Sequence, residues 1–436
     1  MSKTPYFRNT VAGRRAVLAC LQPTRRHESP PAAEAPLAEL KRLVQSAGAT
    51  PVAEILQRRE HPTGSHYLGR GKVGELQSAV RANKARVVIF DNDLTPVQGR
   101  NLEKEVGCPV MDRTELILDI FATHARTRQA KLQVELAALE YFLPRLRRMW
   151  THLERQTGGI GVRAGAGERQ IEVDRRLIGR RISDVRGELK KIRERRKQLV
   201  ASRRGFAASL VGYTNAGKST LMRALTGADV LVEDRLFATL DTRTREARLG
   251  GGLSMLLSDT IGFVRNLPHH LVESFSATLE ETRGADVILH VVDMSSRAWH
   301  EEMETVRTVL ADIGACEVPV QIVFNKIDLV DEPALLRRAA ADFPDSIAIS
   351  ALRGTGLDEL KNVLATRMLA DAEELEILLL PPDGRASAYL RRHGRIEESR
   401  AEGTALRVRA RIIPERLGAL QRMPGVEILA RGNHPV

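Results

Sequence analysis

Apolar residues recur with helical spacing in two long segments of the chain. The first stripe comprises Leu132, Leu136, Leu139, Leu143, Leu146, Trp150 and Leu153, and the second comprises Ile178, Ile182, Val185, Leu189, Ile192 and Leu199. Because steps of four and three residues return to one face of a helix, the stripes predict an antiparallel helical hairpin whose arms bury each other. Pro144 lies within the first stripe and should kink that helix or weaken its middle.

Before the hairpin, short apolar runs alternate with helical patterns. We predict helices near residues 36–48, 72–83 and 95–106, and strands at Ala16–Ala19, Thr50–Glu54, Val87–Phe90 and Pro109–Met111. This alternation is typical of a small parallel α/β domain. Gly69–Gly74 spells G-x-G-x-x-G, but no clear strand precedes it. We therefore interpret it as a loop-to-helix turn that touches RNA phosphate, and not as a dinucleotide site.

The last part of the chain has a third pattern, with a break at Pro381–Gly384 after its first strand. It predicts, in order, a strand at 375–380, a helix at 384–393, strands at 395–400 and 404–412, a helix at 414–421 and a strand at 425–429. This β-α-β-β-α-β order is that of ferredoxin-like α+β domains.

Composition narrows the class of protein. Hydrophobic residues make up 43% of the 436 residues and charged residues 28%, which is a globular balance and suggests two to four domains. No apolar run is long enough for a membrane span, and the first residues lack the apolar core of a signal peptide. The 3 cysteines are far apart, which disfavours a disulfide framework or a zinc site. We expect a cytoplasmic protein, with peripheral association at a membrane as the alternative.

The net charge of +12 is concentrated in one segment. Arg175–Arg204 contains 13 basic and 3 acidic residues, a net +10. Aromatic residues are only 4% of the chain, so recognition of bases by stacking is disfavoured, and a basic helix suits the phosphate backbone of folded RNA. The glycine-rich loop at 157–169 would be the tip of the hairpin. The RNA contacts that we predict are Arg163, Arg169, Lys190, Lys191, Arg193, Arg195, Arg196 and Lys197.

A phosphate-binding motif follows the hairpin. Strand Phe206–Val211 leads into Gly212–Ser219, and Thr220–Leu225 has a helical pattern. This is a P-loop in its strand–loop–helix context, where backbone N–H groups and the helix N-terminus surround phosphates. Lys218 should reach the β- and γ-phosphates, and the Ser219 hydroxyl should bind magnesium.

Three further motifs follow in order, each at the end of a predicted strand. Asp259 should hold magnesium through water, and the N–H of Gly262 should meet the γ-phosphate. In the motif Asn325–Asp328, the carboxylate of Asp328 can accept two hydrogen bonds from guanine. Adenine cannot supply two donors in that arrangement. The N–H of Ala351 can then meet the guanine carbonyl. Together with the P-loop, these motifs predict a GTP-binding domain.

A switch segment lies between the first two motifs. Within Leu236–Thr242, Thr239 is the candidate to complete the magnesium coordination when a γ-phosphate is present, with Thr242 and Thr244 as rivals. Phe263 stands where many small GTPases have a glutamine that orients the attacking water. We therefore expect slow intrinsic hydrolysis, with the water positioned by backbone, by another residue or by a partner. His269 and His270 are interpreted as surface residues and not as a catalytic base.

The predicted site is therefore as follows. The catalytic residues are Lys218, Thr239 and Gly262, and the magnesium ligands are Ser219, Thr239 and, through water, Asp259. The GTP contacts are Gly212, Tyr213, Thr214, Asn215, Ala216, Gly217, Lys218, Ser219, Thr220, Phe237, Ala238, Thr239, Leu240, Asp241, Asp259, Thr260, Ile261, Gly262, Asn325, Lys326, Ile327, Asp328, Ser350, Ala351 and Leu352.

The patterns combine into a multidomain α/β protein. We predict a parallel α/β N-terminal domain over residues 1–125 and the basic hairpin over 126–204. A P-loop GTPase domain would cover 205–372, and the ferredoxin-like domain 373–436.

Several of these strings resemble signatures of the HflX family of ribosome-associated GTPases, within the Obg–HflX-like superfamily. They are Tyr67–Lys72, Gln129–Leu136, Gly158–Arg169, Leu236–Asp241 and Asp259–Arg265. The resemblance extends over most of the chain. One departure is Thr242–Thr244, where many members have Pro-Thr-Thr, and it concerns the switch conformation and not the nucleotide site.

The resemblance implies a bacterial GTPase that binds the large ribosomal subunit and its RNA, with its hairpin loop near the peptidyl-transferase region. It also implies that binding can split stalled or idle ribosomes under stress. Two alternatives stay open: a ribosome-assembly or RNA-modification GTPase, and an RNA-binding protein whose nucleotide only stabilises the fold. We expect Mg²⁺ as cofactor, GTP and GDP as substrate and product, stimulation by ribosomes, and a monomer.

Overall fold

The strands of the protein form three separate sheets of four, six and four strands, seen in a computed structural model. We call them the N-terminal, central and C-terminal sheets. None of the described helices is both long enough and apolar enough to cross a membrane. The structure describes residues 11–24, 37–145, 164–201, 205–227, 236–237, 243–260, 262–265, 271, 281–370, 372–380 and 384–431.

The N-terminal sheet is parallel, with strand order β2-β1-β3-β4. Its strands are β1 (Arg15–Gln22), β2 (Thr50–Arg58), β3 (Val87–Phe90) and β4 (Val110–Met111). The helices between them are α1 (Ala38–Ser46), α2 (Arg70–Ala82) and α3 (Pro96–Val106). Alternate residues of β1 enter two different apolar cores, one on each face of the sheet. Burial on both faces explains why the central strands are continuous apolar runs.

Three helices follow this sheet: α4 (Arg113–His124), α5 (Arg128–Phe142) and α6 (Ala164–Ala201). Helix α5 ends at Phe142 and is followed by one 3-10 turn, Leu143–Arg145. Pro144 lies in that turn, where its ring and its missing N–H are incompatible with a continuing α-helix. The α-helical hydrogen bonding is therefore interrupted at the proline, at which we had expected a kink or a weakened middle of the helix. The rest of the first apolar stripe lies outside the described residues.

The second arm begins earlier than the sequence predicted. Helix α6 starts at Ala164, so residues 164–169, which we had assigned to the hairpin loop, are helical. Gly165 and Gly167 each cost a helix about 1 kcal/mol relative to alanine. Their neighbours are mostly alanine, glutamate, arginine and glutamine, which favour helix and offset this cost.

Helices α5 and α6 contact each other through one apolar cluster, as the two stripes predicted. It consists of Leu132, Leu136 and Leu139 from α5 and Ile178, Ile182 and Val185 from α6. Three ion pairs flank it: Arg128 with Glu188, Glu135 with Arg181, and Glu140 with Arg186. The two arms are therefore joined by an apolar contact and by three ion pairs.

The central sheet has the order β10-β9-β8-β5-β7-β6, and only β6 is antiparallel to its neighbour. Its strands are β5 (Ala207–Gly212), β6 (Arg243–Gly250), β7 (Leu253–Asp259), β8 (Val287–Asp293), β9 (Val320–Asn325) and β10 (Ile347–Ala348). Its helices are α7 (Lys218–Thr226), α8 (Trp299–Asp312), α9 (Pro333–Asp342) and α10 (Leu357–Met368). The strands that precede the four sequence motifs therefore end at one edge of the sheet, where parallel α/β folds bind ligands.

The C-terminal sheet is antiparallel, with the order β12-β13-β11-β14. Its elements are β11 (Glu373–Leu379), α11 (Arg385–His393), β12 (Gly394–Glu402), β13 (Ala405–Ile412), α12 (Pro414–Gln421) and β14 (Val426–Arg431). Leu390 of α11 and Leu420 of α12 are buried against the strands. Outward-facing arginines of β13, such as Arg407, pair with glutamates of the neighbouring strands.

The apolar cores cross two of the domain boundaries that we predicted. Val134 and Tyr141 of α5 belong to the core of the N-terminal sheet, so α5 contacts both this sheet and α6. The same core contains Tyr213, Phe237 and Val264, which lie in or beside the predicted nucleotide motifs. The N-terminal part of the molecule is thus packed directly against the P-loop region.

Candidate nucleotide-binding site

The P-loop spans the gap between β5 and α7. Gly217 has a φ of 93°, and a Cβ on it would lie 2.2 Å from Nδ2 of Asn325. Since no side chain fits at that distance, the position requires glycine. The same Asn325 nitrogen donates to the carbonyl of Ala216, at 2.8 Å. This hydrogen bond connects the P-loop to the end of β9, which carries the base-reading motif.

Lys218 lies at the centre of the phosphate end and is buried. Its Nζ donates to the carbonyl oxygens of Gly212 and Tyr213, at 2.9 and 2.8 Å. Burial lowers the pKa of Lys218 to about 8, against the opposing effect of Asp259. A phosphate at this site would supply the countercharge that the buried ammonium needs.

The magnesium ligands predicted on two different motifs are adjacent in space. The Ser219 hydroxyl donates to Oδ2 of Asp259, at 3.0 Å, and Asp259 is fully buried. A buried carboxylate beside a hydroxyl is the oxygen donor set that Mg²⁺ prefers, so these residues fit the ion. Thr239, the third predicted ligand, lies outside the described residues.

The base-reading motifs also meet. The side-chain oxygen of Asn325 accepts from the N–H of Ala351 at 3.0 Å, and the Ser350 hydroxyl donates to Oδ1 of Asp328 at 2.6 Å. Lys326 forms an ion pair with Asp293 at 2.7 Å. The Ala351 N–H that we assigned to a guanine carbonyl therefore already has a partner, which guanine would have to share or replace.

The remaining base-end residues differ in exposure. Leu352 is 73% exposed and projects beside the motif, whereas Ile327 is half-buried. Of the P-loop residues, Asn215 is exposed and has a φ of 63°, and Thr220 is half-buried in the first turn of α7.

Three predicted GTP contacts have side chains that point elsewhere. The Thr260 hydroxyl donates to the carbonyl of Leu210 at 2.6 Å, so it stabilises the sheet and does not face phosphate. Phe237 is buried against Phe121 of α4, with ring centroids 4.7 Å apart. Both residues were predicted to contact GTP; in the structure the Thr260 side chain is engaged by a hydrogen bond and the Phe237 side chain by packing.

Tyr213 is the third of these residues. Its hydroxyl donates to Oε1 of Glu39 at 2.6 Å and accepts from the N–H of Arg265 at 2.8 Å. The side chain is therefore turned to α1, and only the backbone of Tyr213 faces the phosphate end. The other predicted contacts of the switch segments, Ala238, Leu240, Asp241 and Ile261, lie outside the described residues, as do His269 and His270.

Sequence reasoning missed the buried charges around this tyrosine. Arg113 forms ion pairs with Glu39 at 2.9 Å and Asp91 at 2.6 Å, and it donates to the carbonyl of Arg265 at 3.1 Å. Arg265 in turn pairs with Glu39 at 3.1 Å. Burial would raise the pKa of Glu39, but Arg113, the Tyr213 hydrogen bond and Arg265 outweigh it and lower that pKa. A glutamate on the apolar face of α1 was the one signal available beforehand.

The switch residue Phe263 faces the protein interior. It is 2% exposed and packs in a cluster with Val211, Ile288 and Val306. Its N–H donates to Gly212 and its carbonyl accepts from Thr214, at 3.2 and 2.7 Å. As predicted from its chemistry, this side chain does not orient a water molecule.

The predicted RNA contacts lie on the long helix α6. Lys190, Lys191 and Arg195 are exposed, and Arg193 is half-buried. Arg175, Arg176 and Arg180 extend the exposed basic surface along the same helix. Arg163 and the side chains of Arg169, Arg196 and Lys197 lie outside the described part of the chain.

Comparison with family models covers three consecutive regions. Residues 34–122 match the family described as GTP-binding GTPase N-terminal, and residues 124–203 match the GTP-binding GTPase Middle Region. Residues 207–326 match the 50S ribosome-binding GTPase family. The matched regions follow the N-terminal sheet, the helical arms and the P-loop domain.

Similar proteins carry the name GTPase HflX. The protein of Escherichia coli is 45% identical over 354 residues, which are 80% of this chain and 83% of that protein. That of Magnetococcus marinus is 43% identical over 402 residues, covering 91% and 93%. Among solved structures, a GTP-binding protein from Sulfolobus solfataricus in complex with GDP is 24% identical with a TM-score of 0.43, covering 82% of this chain and 99% of that one.

Proposed function

Because this chain belongs to the HflX family of GTPases, we propose that it binds the large ribosomal subunit in the GTP state and splits stalled or idle ribosomes under stress. The observation that carries the proposal is the basic surface of α6. Six exposed cations, which make no ion pair with the described residues, are Arg175, Arg176, Arg180, Lys190, Lys191 and Arg195. A rigid helix of this charge suits the phosphate backbone of structured RNA.

The basic helix is physically joined to the nucleotide site. Helix α6 packs on α5, α5 shares the core of the N-terminal sheet, and this core includes Tyr213 of the P-loop. A conformational change at the phosphate end of the site can therefore reach the RNA-binding surface of α6 through this series of packed side chains. We propose that GTP favours the ribosome-bound state and that hydrolysis, stimulated by the ribosome, permits release.

We assign the nucleotide contacts as predicted, with the corrections above. Lys218 and the N–H of Gly262 would hold the γ-phosphate, Asp328 would select guanine, and Ser219 and Asp259 would hold Mg²⁺, directly and through water. Bound Mg²⁺ would neutralise charge on the β- and γ-phosphates. We further propose that Thr239 completes this site, that the C-terminal sheet belongs to a ferredoxin-like domain, and that the protein acts as a cytoplasmic monomer.

The proposal is tested by removing charge from α6 without touching the GTP site. We expect Lys190→Ala with Lys191→Ala to weaken co-sedimentation with large subunits and to reduce the salt dependence of binding by a slope of about one to two. GTP turnover without ribosomes should stay at the wild-type rate. Turnover and co-sedimentation are measured with and without large subunits, in GTP and in a non-hydrolysable analogue.

The matched control is Arg337→Ala with Arg338→Ala, an adjacent exposed pair on α9. It removes the same charge from the P-loop domain and should leave ribosome binding unchanged. Equal losses in both double variants would show that only general charge matters and would contradict a specific RNA surface on α6. If wild-type turnover is the same with and without ribosomes, the proposed release mechanism is wrong.

A further inference from the structure

The P-loop contains a buried hydroxyl that no described group satisfies. Thr214 is 7% exposed, and its Oγ1 has no hydrogen-bond partner among the described residues. A buried polar group left without a partner costs about 1–3 kcal/mol. Such a group in a binding loop is expected to gain its partner when the site is filled.

The side chain of Thr214 lies at the γ-phosphate end of the site. A Cβ built on Gly262 would be 2.8 Å from Cγ2 of Thr214 and 3.1 Å from Nζ of Lys218. Thr214, Gly262 and Lys218 therefore converge on one point, and the last two are the groups that we assign to the γ-phosphate. The atom of Thr214 nearest to that point is the methyl carbon Cγ2, and the unpaired hydroxyl is bonded to the same Cβ. The N–H of Thr214 is bonded to the carbonyl of Phe263, which fixes the backbone there.

The other hydroxyls of these motifs are already engaged. Ser219 donates to Asp259, and Thr260 donates to the carbonyl of Leu210. Phe263, at the position that often carries a water-orienting glutamine, is buried in the apolar cluster with Val211 and Ile288. Of the hydroxyls of Thr214, Ser219 and Thr260, that of Thr214 alone can still orient a water molecule.

We propose that Thr214 is a catalytic residue whose hydroxyl aligns the attacking water with the γ-phosphate. The hydroxyl accepts a hydrogen bond from the water and donates its own hydrogen to a γ-phosphate oxygen. Water then forms a bond to the γ-phosphorus while the bond from this phosphorus to the β–γ bridging oxygen breaks. GDP leaves, the water proton passes to the inorganic phosphate, and Thr214 ends in its original protonation state. This arrangement is positioning catalysis, which phosphoryl transfer needs more than a strong base.

The decisive variant is Thr214→Val, which keeps the branched shape and removes the hydroxyl. We expect the single-turnover rate of GTP hydrolysis to fall about 10- to 100-fold, because the water loses its alignment. The dissociation constant for GDP should stay near the wild-type value, and that for GTP should rise by a smaller factor than the hydrolysis rate falls, because the variant loses one hydrogen bond to the γ-phosphate. Full-length protein is assayed with Mg²⁺ and GTP, with and without large ribosomal subunits, and nucleotide binding is followed with a fluorescent GTP analogue. Because hydrolysis without ribosomes is measured too, the result does not depend on the proposed ribosomal role.

Thr214→Ser is the matched control, since it keeps the hydroxyl and removes the methyl group. It should retain most of the wild-type rate. The proposal is wrong if Thr214→Val hydrolyses GTP at the wild-type rate, or if Thr214→Ser loses as much activity as Thr214→Val. Loss of GTP binding in Thr214→Val, with binding retained in Thr214→Ser, would also overturn it, because the hydroxyl would then act in binding and not in hydrolysis. If Thr214→Val does not fold, Thr214→Ala provides the same comparison with Thr214→Ser.

Discussion

The P-loop domain meets its two neighbours through contacts of opposite character. Toward the N-terminal sheet, the contact is a buried network of charges and hydrogen bonds around Glu39 and Arg113. Toward the C-terminal sheet, it is a close approach of two backbones, in which Gly252 of the β6–β7 turn lies against the carbonyl of Arg391 in α11. The first interface thus contains buried ion pairs, whereas the second requires glycine at position 252 because a side chain there would meet the backbone of α11.

The two interfaces also differ in how close they lie to the nucleotide motifs. The N-terminal network includes Tyr213, which precedes Thr214 in the P-loop, and Arg265, which follows the Gly262 motif. The C-terminal contact reaches the hairpin turn between β6 and β7, at the opposite end of β7 from Asp259. A cavity of about 220 Å³ lies nearby, lined by Phe206, Glu246, Ser254, Met255, His393 and Arg416, among others. We therefore expect the nucleotide to be coupled more tightly to the N-terminal sheet than to the C-terminal sheet.

The largest expected effect comes from removing the buried cation of the first interface. Arg113→Met would leave Glu39 and Asp91 without their shared partner, and breaking a buried ion pair in this way costs about 3–5 kcal/mol. We expect a loss of that size in the free energy of unfolding of the first transition, measured with urea. Nucleotide affinity should fall as well, because Tyr213 and Arg265 are held by the same network.

Arg128→Met is the control for this prediction. Arg128 also pairs with a glutamate, at 2.7 Å, but its side chain is 80% exposed. An exposed pair contributes about 0–1 kcal/mol, so the control should be nearly as stable as the wild type. If Arg113→Met and Arg128→Met lose the same free energy of unfolding, the buried ion pairs of the N-terminal interface stabilise the protein no more than an exposed pair does.

A smaller effect is expected at the second interface. In Gly252→Ala the new Cβ would lie 1.1 Å from the carbonyl oxygen of Arg391, at a residue whose φ is 85°. The chains must separate there, and such overpacking costs about 1–3 kcal/mol. We expect faster proteolysis between the P-loop domain and the C-terminal sheet, with GTP hydrolysis close to the wild-type rate.

Gly251→Ala separates backbone strain from the clash. Gly251 also has a positive φ, 57°, but a Cβ on it meets nothing within 4 Å. It should lose only the roughly 1 kcal/mol that a left-handed alanine costs. If Gly252→Ala abolishes GTP hydrolysis while Gly251→Ala does not, the C-terminal interface is coupled to the nucleotide as strongly as the N-terminal one, and the comparison fails.

The sequence predicted the parts of this protein that depend on local patterns. The strands and helices around Val87–Phe90 follow from apolar runs, and the approach of Ser219 to Asp259 follows from a strand edge shared by two motifs. The turn of Tyr213 toward α1 could not be predicted in this way. It depends on the packing of a helix 174 residues earlier in the chain, and no local pattern specifies that contact.

The same distinction explains where the side chain of Phe237 lies. Phe237 belongs to a string typical of a nucleotide switch, and the motif places it near GTP in sequence. In the structure its ring packs on Phe121, because a buried aromatic gains more from an apolar core than from a phosphate. The motifs therefore predict which backbone segments come together, whereas long-range packing decides where side chains such as Phe237 and Tyr213 point.

The smallest expected effect is a dependence of the N-terminal interface on pH. The pKa of Glu39 is lowered in the folded protein, because Arg113, Tyr213 and Arg265 outweigh the effect of burial. A carboxylate whose folded pKa is below its unfolded value stabilises the protein above the unfolded value, which is about 4.3 for glutamate. This contribution is lost as the pH falls through the folded pKa. Wild-type protein should therefore lose stability below about pH 4.3 more steeply than Glu39→Gln, which has no carboxylate to protonate.

Urea unfolding at neutral pH and at several pH values below 5 measures the difference between the two proteins. The advantage of the wild type at neutral pH should shrink on acidification, because protonated Glu39 resembles glutamine in size and charge. The matched control is Glu188, a half-buried carboxylate whose partner Arg128 is solvent-exposed, and Glu188→Gln should follow the wild type at every pH. A constant difference between wild type and Glu39→Gln would mean that this carboxylate does not hold the N-terminal interface through its charge. The coupling would then rest on the packing of Phe237 and Tyr213 instead.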